Sequence, residues 1–279
     1  MILTPRDEEI LKAVWYYRYI TARDLNNLFF AKTSITHTRE ILATLSGADL
    51  QANNYLCRFP LPSLSGTRER VYVLGAKGRR VLNQMGFPAT WYFRPHKLKF
   101  LSYDYVLHNL ILTRTLIAAD RWASEHSDVA LVGKHICYEL SGQVITDGQL
   151  RFEVQTTNGV YEQPILIELD RGMEYKHAFR RHVRGRINYL ESGEYQKTFQ
   201  TDEATIAYVT TGQTPAYRET RRKAICQWIR ELLADMGLKD WASVFRVASI
   251  EFGTLYDYSL FESEIWFRPD SDTAVRLFT

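Results

Sequence analysis

Residues 21–45, TARDLNNLFFAKTSITHTREILATL, decide the fold of the first part of the chain. Thr21 is suited to cap a short helix over Ala22 to Phe30, and Ser34 is suited to begin another. Apolar residues recur along both segments at helical spacing: Leu25, Leu28, Phe29, Ile41, Leu42 and Leu45. Two short amphipathic helices in succession predict a helix-turn-helix, whose second helix enters the major groove of DNA.

The neighbouring segments extend this pattern in both directions. Thr4 and Pro5 begin an earlier helix, with an acidic run in its first turn. Two strand-like segments, 55–60 and 70–74, flank a loop rich in Pro, Ser and Gly, and a basic helix follows them. Three helices, a two-stranded wing and a closing helix predict a winged helix-turn-helix domain over residues 1–90 that binds double-stranded DNA.

The candidate DNA-binding residues of this domain are polar or basic. The helix that begins at Ser34 presents a polar early face: Thr36, His37, Thr38 and Arg39. The wing and the closing helix supply cations for the phosphate backbone: Arg68, Arg70, Lys77, Arg79 and Arg80. A solvated helix face on a protein-interaction module is the alternative interpretation of the same charges.

Residues 101–279 predict a second domain, joined to the first by a linker at 91–100 that lacks clear periodicity. Helical and strand patterns follow one another there in the order α-β-β-β-α-β-α-β. Such an order predicts a mixed sheet flanked by helices, so the chain is expected to belong to the α+β or α/β class.

Three carboxylates stand near two successive strands of this predicted sheet. Asp147 precedes the strand at 150–155, and Glu168 and Asp170 lie two apart on the next strand, on one face. Hard cations such as Mg²⁺ or Mn²⁺ take oxygen ligands, and a bound ion can activate water for phosphodiester hydrolysis. In the structural alternative, Asp147 caps a turn, Glu168 pairs with a buried arginine and Asp170 ends its strand.

A basic helical segment, 175–190, follows these carboxylates. Phosphate contact is one interpretation of its arginines Arg180, Arg181 and Arg184. The alternative is a solvated face, or local pairing with nearby glutamates, which stabilises exposed helices modestly.

Composition and motifs disfavour several classes of protein. Lys and Arg number 35 against 32 for Asp and Glu, so DNA binding must depend on local clusters. No apolar stretch approaches the roughly 20 residues of a membrane helix and no signal peptide is recognisable, so cytoplasmic residence is the expectation. The three cysteines are far apart and are expected to be reduced. Glycine-rich nucleotide loops, zinc-helix histidine pairs and serine-hydrolase elbows do not occur in the sequence.

Four motifs give the chain a resemblance to a known family: Leu3-Thr4-Pro5-Arg6-Asp7, Val71-Tyr-Val-Leu-Gly-Ala-Lys-Gly-Arg-Arg80, Leu107-His-Asn-Leu110 and Ile167-Glu-Leu-Asp-Arg-Gly172. Together they resemble the replication-relaxation family of plasmids and other mobile elements, whose members join a winged helix to a nuclease-like domain. The second half is also similar to the restriction-endonuclease-like PD-(D/E)XK fold. The resemblance implies that Asp147 and Glu168 match the metal-binding acids of that fold.

The same resemblance implies a nuclease site that departs from the usual motif. Thr146 stands where the motif has proline, and Asp170 stands where it has the catalytic lysine. Lys176 is the nearest lysine that a neighbouring helix supplies. The catalytic candidates are therefore Asp147, Glu168, Asp170 and Lys176, and the three carboxylates are the candidate metal ligands.

Three hypotheses about function follow. The leading one is a DNA-binding protein of a mobile element, acting in replication, mobilisation or their regulation, with a degenerate nuclease-like domain. The rival is an active endonuclease dependent on Mg²⁺ or Mn²⁺. The third is an assembly factor whose second domain binds a protein partner through exposed Trp and Tyr residues. A homodimer is a separate expectation for the chain. Metal dependence separates the first two hypotheses, and partner dependence separates the third.

Overall fold

The fold of the chain is taken from a computed structural model, which describes residues 3–30, 33–47, 53–61, 69–141, 144–157, 159–172, 174–212, 214–252, 255 and 259–278. The chain divides into two compact units, Met1–Ile117 and Ala118–Thr279. A small antiparallel sheet with its helices forms unit 1, and a larger mixed sheet forms unit 2, which confirms the α+β class.

Unit 1 begins with helices whose starts are fixed by side-chain caps. Helix α1, Pro5–Tyr17, and helix α2, Ala22–Phe29, each begin with a capping box, formed by Thr4 with Asp7 and by Thr21 with Asp24. The Ser34 side chain caps helix α3, Ile35–Ser46. A cap satisfies backbone N–H groups that have no partner within the helix, so these residue types set the helix boundaries. The three helices predicted from the sequence are therefore present in the predicted order.

A three-stranded sheet completes unit 1. Strand β1, Ile20–Thr21, pairs with β3, Arg70–Leu74, which also pairs with β2, Leu56–Pro60. Helix α4, Ala76–Gln84, then lies close to the start of β2. A Cβ atom at Gly75 would stand 2.2 Å from the Asn54 carbonyl oxygen, so only glycine allows this approach. The tip of the hairpin, residues 62–68, lies outside the described residues.

The end of unit 1 differs from the predicted linker at 91–100. The Phe93 N–H donates to the Leu74 carbonyl, and a 3-10 helix, Pro95–Phe100, leads into helix α5, Tyr103–Glu125. Within α5, the Thr113 hydroxyl donates to the Tyr19 carbonyl across 3.0 Å. The first half of α5 therefore belongs to unit 1, and the boundary falls after Ile117, inside the helix. A continuous helical pattern gives no sign of such a boundary.

Unit 2 contains a seven-stranded sheet in the order β10-β9-β8-β7-β6-β5-β4. Its first three strands are long and antiparallel: β4, Val129–Ser141; β5, Val144–Thr156; β6, Gly159–Asp170. Helices α6, Lys176–Glu191, and α7, Glu194–Phe199, lead to β7, Thr205–Thr210, and helix α8, Pro215–Met236, leads to β8, Phe245–Ser249. Strands β6, β7 and β8 are parallel to one another. The predicted order of elements is present, with α7 as an addition.

The C-terminal residues add edge elements that sequence patterns did not predict. They are helix α9, Ser259–Glu262, strand β9, Trp266–Phe267, and strand β10, Ala274–Val275. These elements are too short for a period of apolar residues to show.

Two apolar layers hold the large sheet. On one face, α6 and α8 pack against β6, β7 and β8 through Phe179, Val183, Leu166, Ile206, Ile225 and Val247. On α5, Trp122 stacks on Phe261 and Phe278 and meets the edge of Phe152 on β5. The carboxyl end of β6, where Asp170 stands, therefore lies beside α6 and α8. None of the helices within the described ranges is long and apolar enough to cross a membrane.

Candidate functional site

Helix α3 presents a narrow polar face to solvent. Thr36, His37 and Arg39 are exposed, as predicted, whereas Thr38 is fully buried. The Thr38 hydroxyl donates to the side-chain oxygen of Asn26 on α2 across 2.8 Å. Thr38 was a candidate for contact with DNA, and the structure corrects this, because a buried side chain that joins two helices cannot reach a base edge.

The exposed face of α3 carries little net charge. The Glu40 carboxylate lies 3.9 Å from the His37 ring nitrogen, and Arg39 is exposed beside it. A base-reading helix needs such polar side chains, but most of the affinity for DNA comes from cations near the phosphates. Any strong attraction must therefore come from neighbouring elements.

The hairpin of β2 and β3 supplies those cations. Arg58 on β2 stands opposite Tyr72 on β3, and Arg70 lies two residues before it. Burial raises the pKa of the Tyr72 hydroxyl, and the positive charges of Arg58, Arg70 and Arg39 oppose that rise. Cross-strand partners and residues two apart share one face of a sheet, so Arg58, Arg70 and Tyr72 lie on the same face of the hairpin.

Of these cations, Arg58 was missed by sequence reasoning, which named Arg39 on α3, Arg68 and Arg70 on the wing, and the basic residues of the next helix. Its signal was the alternation of β2, in which it is half-buried between buried neighbours. The predicted wing-tip residue Arg68 lies outside the described residues.

Helix α4 holds the remaining predicted cations of unit 1. The Lys77 ammonium lies over the Tyr55 ring, 4.2 Å from its centre, and the Arg79 guanidinium lies 4.6 Å from the centre of the Tyr92 ring. Arg80 is exposed. Arg79 and Arg80 line a shallow depression of about 450 Å³ together with Ala76, Asn83, Gln84 and Tyr92.

The carboxylate site of unit 2 contains Glu168 locked into an ion pair. Both of its oxygens accept from the Arg186 guanidinium at 2.5 Å, and the two side chains are each about 9% exposed. Arg186 also donates to the backbone carbonyls of His182 and Ile145. This guanidinium therefore joins α6 to β5 and β6, and it uses both oxygens that a metal ion would need.

The charges in this site are strongly coupled. Burial raises the pKa of Glu168 to about 7; the Arg186 guanidinium opposes this rise, and the nearby Asp147 charge adds to it. Burial acts to lower the pKa of Arg186, but the neighbouring Glu168 charge raises it by more, so the guanidinium keeps its charge. Breaking such a pair leaves one uncompensated group in the protein interior.

The other two carboxylates also serve the backbone and a neighbouring helix. One Asp147 oxygen accepts from the Leu169 N–H at 2.8 Å, on the strand that carries Glu168. Asp170 accepts two hydrogen bonds from Arg221 on α8, at 2.6 and 2.8 Å, and a further one from the Gly172 N–H. The structural alternative stated from the sequence describes these contacts: Glu168 pairs with a buried arginine and Asp170 ends its strand.

These residues do not fit a divalent metal. In the described part of the chain, no group of three or more His, Cys, Asp and Glu side chains is placed to hold one. Lys176, the candidate catalytic lysine, pairs with Glu231 on α8 at 2.6 Å. Thr146, at the proline position of the motif, is buried with its hydroxyl 2.9 Å from the Ile167 carbonyl oxygen. The three carboxylates and the lysine are therefore each held by other partners.

The predicted phosphate-binding arginines of α6 fall into two groups. Arg180 pairs with Asp235 and Glu231 on α8, so its charge is largely compensated. Arg181 and Arg184 are exposed and form no ion pair with any residue that the structure describes. Only the second group remains available for phosphates.

A sequence profile of the replication-relaxation family matches residues 11–202, which is more than half of the 279-residue chain. Searches among curated proteins and among solved structures each returned no match. The matched range covers most of unit 1 and extends through α6 and α7 of unit 2, so it includes the exposed face of α3, the hairpin and the carboxylates.

Proposed function

Because the chain belongs to the replication-relaxation family, we propose that it is a duplex-DNA-binding protein whose second unit holds a nuclease-like site without nuclease activity. The family supports a role in replication or mobilisation of plasmids and other mobile elements. Unit 1 then acts as a winged helix-turn-helix, with α3 in the major groove and the hairpin along the backbone.

The observation that carries the DNA-binding proposal is the proximity of Arg39, Arg58 and Arg70. Arg58 stands opposite Tyr72, and Arg70 lies two residues before Tyr72, so both arginines share one face of the hairpin. Arg39 is exposed on α3, and its charge also opposes the rise of the Tyr72 pKa. A helix and a hairpin that share one positive surface fit a duplex, because the groove lies next to the phosphates that border it. Thr36 and His37 are exposed on the adjoining face of α3 and would meet base edges.

The proposal that the second unit does not cleave DNA is supported by the two arginines. Arg186 uses both oxygens of Glu168, and Arg221 uses both oxygens of Asp170. A fixed guanidinium next to a carboxylate supplies positive charge but no water ligand, so it cannot generate a metal-bound hydroxide. The site therefore serves the fold, and DNA contacts come from unit 1.

One experiment tests both parts of the proposal. A labelled mixed-sequence duplex is incubated with the protein, with and without Mg²⁺ or Mn²⁺, and retardation and cleavage are scored in the same lanes. We expect retardation without metal, no cleavage with it, and a lower salt slope, by about one, in Arg70→Ala.

Arg180→Ala is the matched control, because its cation is already paired on α8. An Arg70→Ala protein with the affinity and salt slope of the unaltered chain would contradict the role of the hairpin. Metal-dependent cutting that Glu168→Ala abolishes would instead establish an endonuclease.

A further inference from the structure

A second positive surface in unit 1 lies outside the region that faces α3. From residue 71 to residue 103 the sequence contains six Lys or Arg residues and no Asp or Glu: Lys77, Arg79, Arg80, Arg94, Lys97 and Lys99. All of residues 71–103 are described, and none of these six cations forms an ion pair with a described residue. A run of cations without acids is attractive to a polyanion. One exposed acid, Asp104, follows directly after the run.

Aromatic rings stand among these cations. The Tyr92 ring lies between two guanidinium groups, with Arg79 at 4.6 Å and Arg94 at 5.7 Å from its centre. Beyond the 3-10 helix, three large aromatic side chains are exposed to solvent: Phe100 by 74%, Tyr103 by 43% and Tyr105 by 48%. Exposure of such rings to water is unfavourable, so a cluster of them on a surface marks a binding site.

The end of α1 joins the two groups of rings. The Arg18 guanidinium lies 5.9 Å from the centre of the Trp91 ring, and the next residue, Tyr19, packs edge-on against Tyr105 at 5.8 Å. Trp91 and Tyr105 therefore lie against adjacent residues at the end of α1. We call this set of cations and rings the basic-aromatic surface; its members are Arg79, Arg80, Trp91, Tyr92, Arg94, Lys97, Lys99, Phe100, Tyr103 and Tyr105.

This surface and the proposed duplex-binding surface lie on opposite faces of the β2–β3 hairpin. Successive residues of a strand point to opposite faces. On β2, Arg58 contacts Tyr72 on the side of α3, whereas its neighbour Phe59 packs against Phe93, with ring centres 5.7 Å apart. Phe93 lies between Tyr92 and Arg94 in the chain. These members of the basic-aromatic surface therefore belong to the face of the hairpin that carries Phe59, opposite to the face that carries Arg58.

We propose that the basic-aromatic surface binds single-stranded DNA. Its cations would follow the phosphates, and its exposed rings would stack on unpaired bases, which is how proteins hold single strands without reading their sequence. A duplex offers phosphates but keeps its base faces stacked inside, so it would leave Phe100, Tyr103 and Tyr105 without a ligand. This inference adds a second form of DNA to the proposed function and does not depend on duplex reading by α3.

The test compares two ligands on the full chain. Binding of a labelled oligothymidine of about 16 nucleotides, the upper end of the usual site size of single-strand-binding folds, is measured by fluorescence anisotropy beside a mixed-sequence duplex. We expect Phe100→Ala/Tyr103→Ala to weaken oligothymidine binding at least about fivefold, through lost stacking, and to leave duplex binding unchanged. Arg70→Ala should do the reverse. Tyr175→Ala, which removes a ring that is 86% exposed on unit 2, is the matched control and should change neither.

Several outcomes would overturn the inference. Oligothymidine binding that is absent, or that Arg70→Ala and the aromatic variant weaken equally, would show that no separate single-strand surface exists. If Arg79→Gln/Arg80→Gln weakens duplex binding while the aromatic variant weakens neither duplex nor oligothymidine binding, the surface contacts duplex phosphates and not unpaired bases. If sedimentation shows that the aromatic variant loses self-association while it keeps oligothymidine binding, the rings form a protein interface. Failure of duplex binding alone would contradict the proposed function and leave this inference standing.

Discussion

The basic-aromatic surface of unit 1 and helix α6 of unit 2 are both rich in cations, but they use them differently. In unit 1 the cations of residues 71–103 stack on rings or face solvent. On α6, Lys176, Arg180 and Arg186 each pair with a carboxylate of another element. A basic run in a sequence therefore remains available to phosphates only where the fold brings no acid beside it.

The reason lies in the topology of the two units. Unit 2 places α6 beside α8 and the end of β6, and those elements carry Glu231, Asp235 and Glu168. Residues 71–103 contain no acid of their own, and they pack on the aromatic end of α1. Exposed pairs stabilise a protein little, whereas the buried Glu168–Arg186 pair is costly to break.

The largest effect is expected from Arg186→Met. The variant leaves Glu168 buried without its partner, so the free energy of unfolding should fall by about 3 kcal/mol or more. Arg184→Met changes an exposed arginine on the same helix and should cost less than about 0.5 kcal/mol. Urea unfolding measures both.

A second variant separates the charge of this site from its packing. Adding Glu168→Leu to Arg186→Met removes the uncompensated carboxylate and should recover most of the lost stability. Equal stability of Arg186→Met and Arg184→Met would contradict the idea that this pair holds α6 on the sheet.

The next effect concerns a polar side chain of unit 1 that faces inward. Thr38→Val removes the hydrogen bond to Asn26, so the free energy of unfolding should fall by about 1 kcal/mol. Because Thr38 is buried, the variant should keep its preference among duplex sequences, whereas Thr36→Val should change it. Competition among labelled duplexes measures the preference. A change confined to Thr38→Val would place that residue at the DNA.

A smaller effect tests whether pairing alone keeps the α6 cations from DNA. Glu231→Gln frees Lys176 and relaxes Arg180, so duplex affinity should rise slightly and the salt slope should steepen by at most about one. Glu191→Gln makes the same change of net charge at an exposed residue without an ion pair among the described residues, and it is the control. Equal responses of the two variants would show that only net charge matters.

The smallest expected effect is that of metal on unit 2. A ligand present at about 100 times its dissociation constant stabilises a protein by about 2.7 kcal/mol, and millimolar Mg²⁺ or Mn²⁺ should give no such shift here. Thermal unfolding with and without the ions measures it. A clear rise of the unfolding temperature that Glu168→Gln removes would show that the carboxylates bind metal in spite of Arg186.

Much of the fold could be predicted from local sequence signals. Thr4, Thr21 and Ser34 each cap a helix, and β7 spans the predicted residues 205–210. Thr38 could have been placed correctly as well, because it lies three residues before Ile41 and therefore on the apolar face.

The candidate site was less accessible to sequence reasoning. Arg186 and Glu168 are 18 residues apart, and their contact depends on how the helix after β6 returns across the sheet. The pairing of Arg58 with Tyr72 depends on strand register in the same way. Residue types indicated a charged site, but only the packing of elements decides which charges meet.

Helix α5 determines where the chain can be cut when unit 1 is exchanged between proteins by recombination. Its Arg114 side chain, only 3% exposed, pairs with Asp24 at the start of α2 and with Glu69 at the base of the hairpin. A gene fusion that cut the chain at the apparent linker near residue 100 would remove Arg114 from unit 1 and leave the buried Asp24 carboxylate without its guanidinium partner. The smallest module that keeps unit 1 intact therefore extends to about the middle of α5, and exchange of this unit among relatives should break there rather than near residue 100.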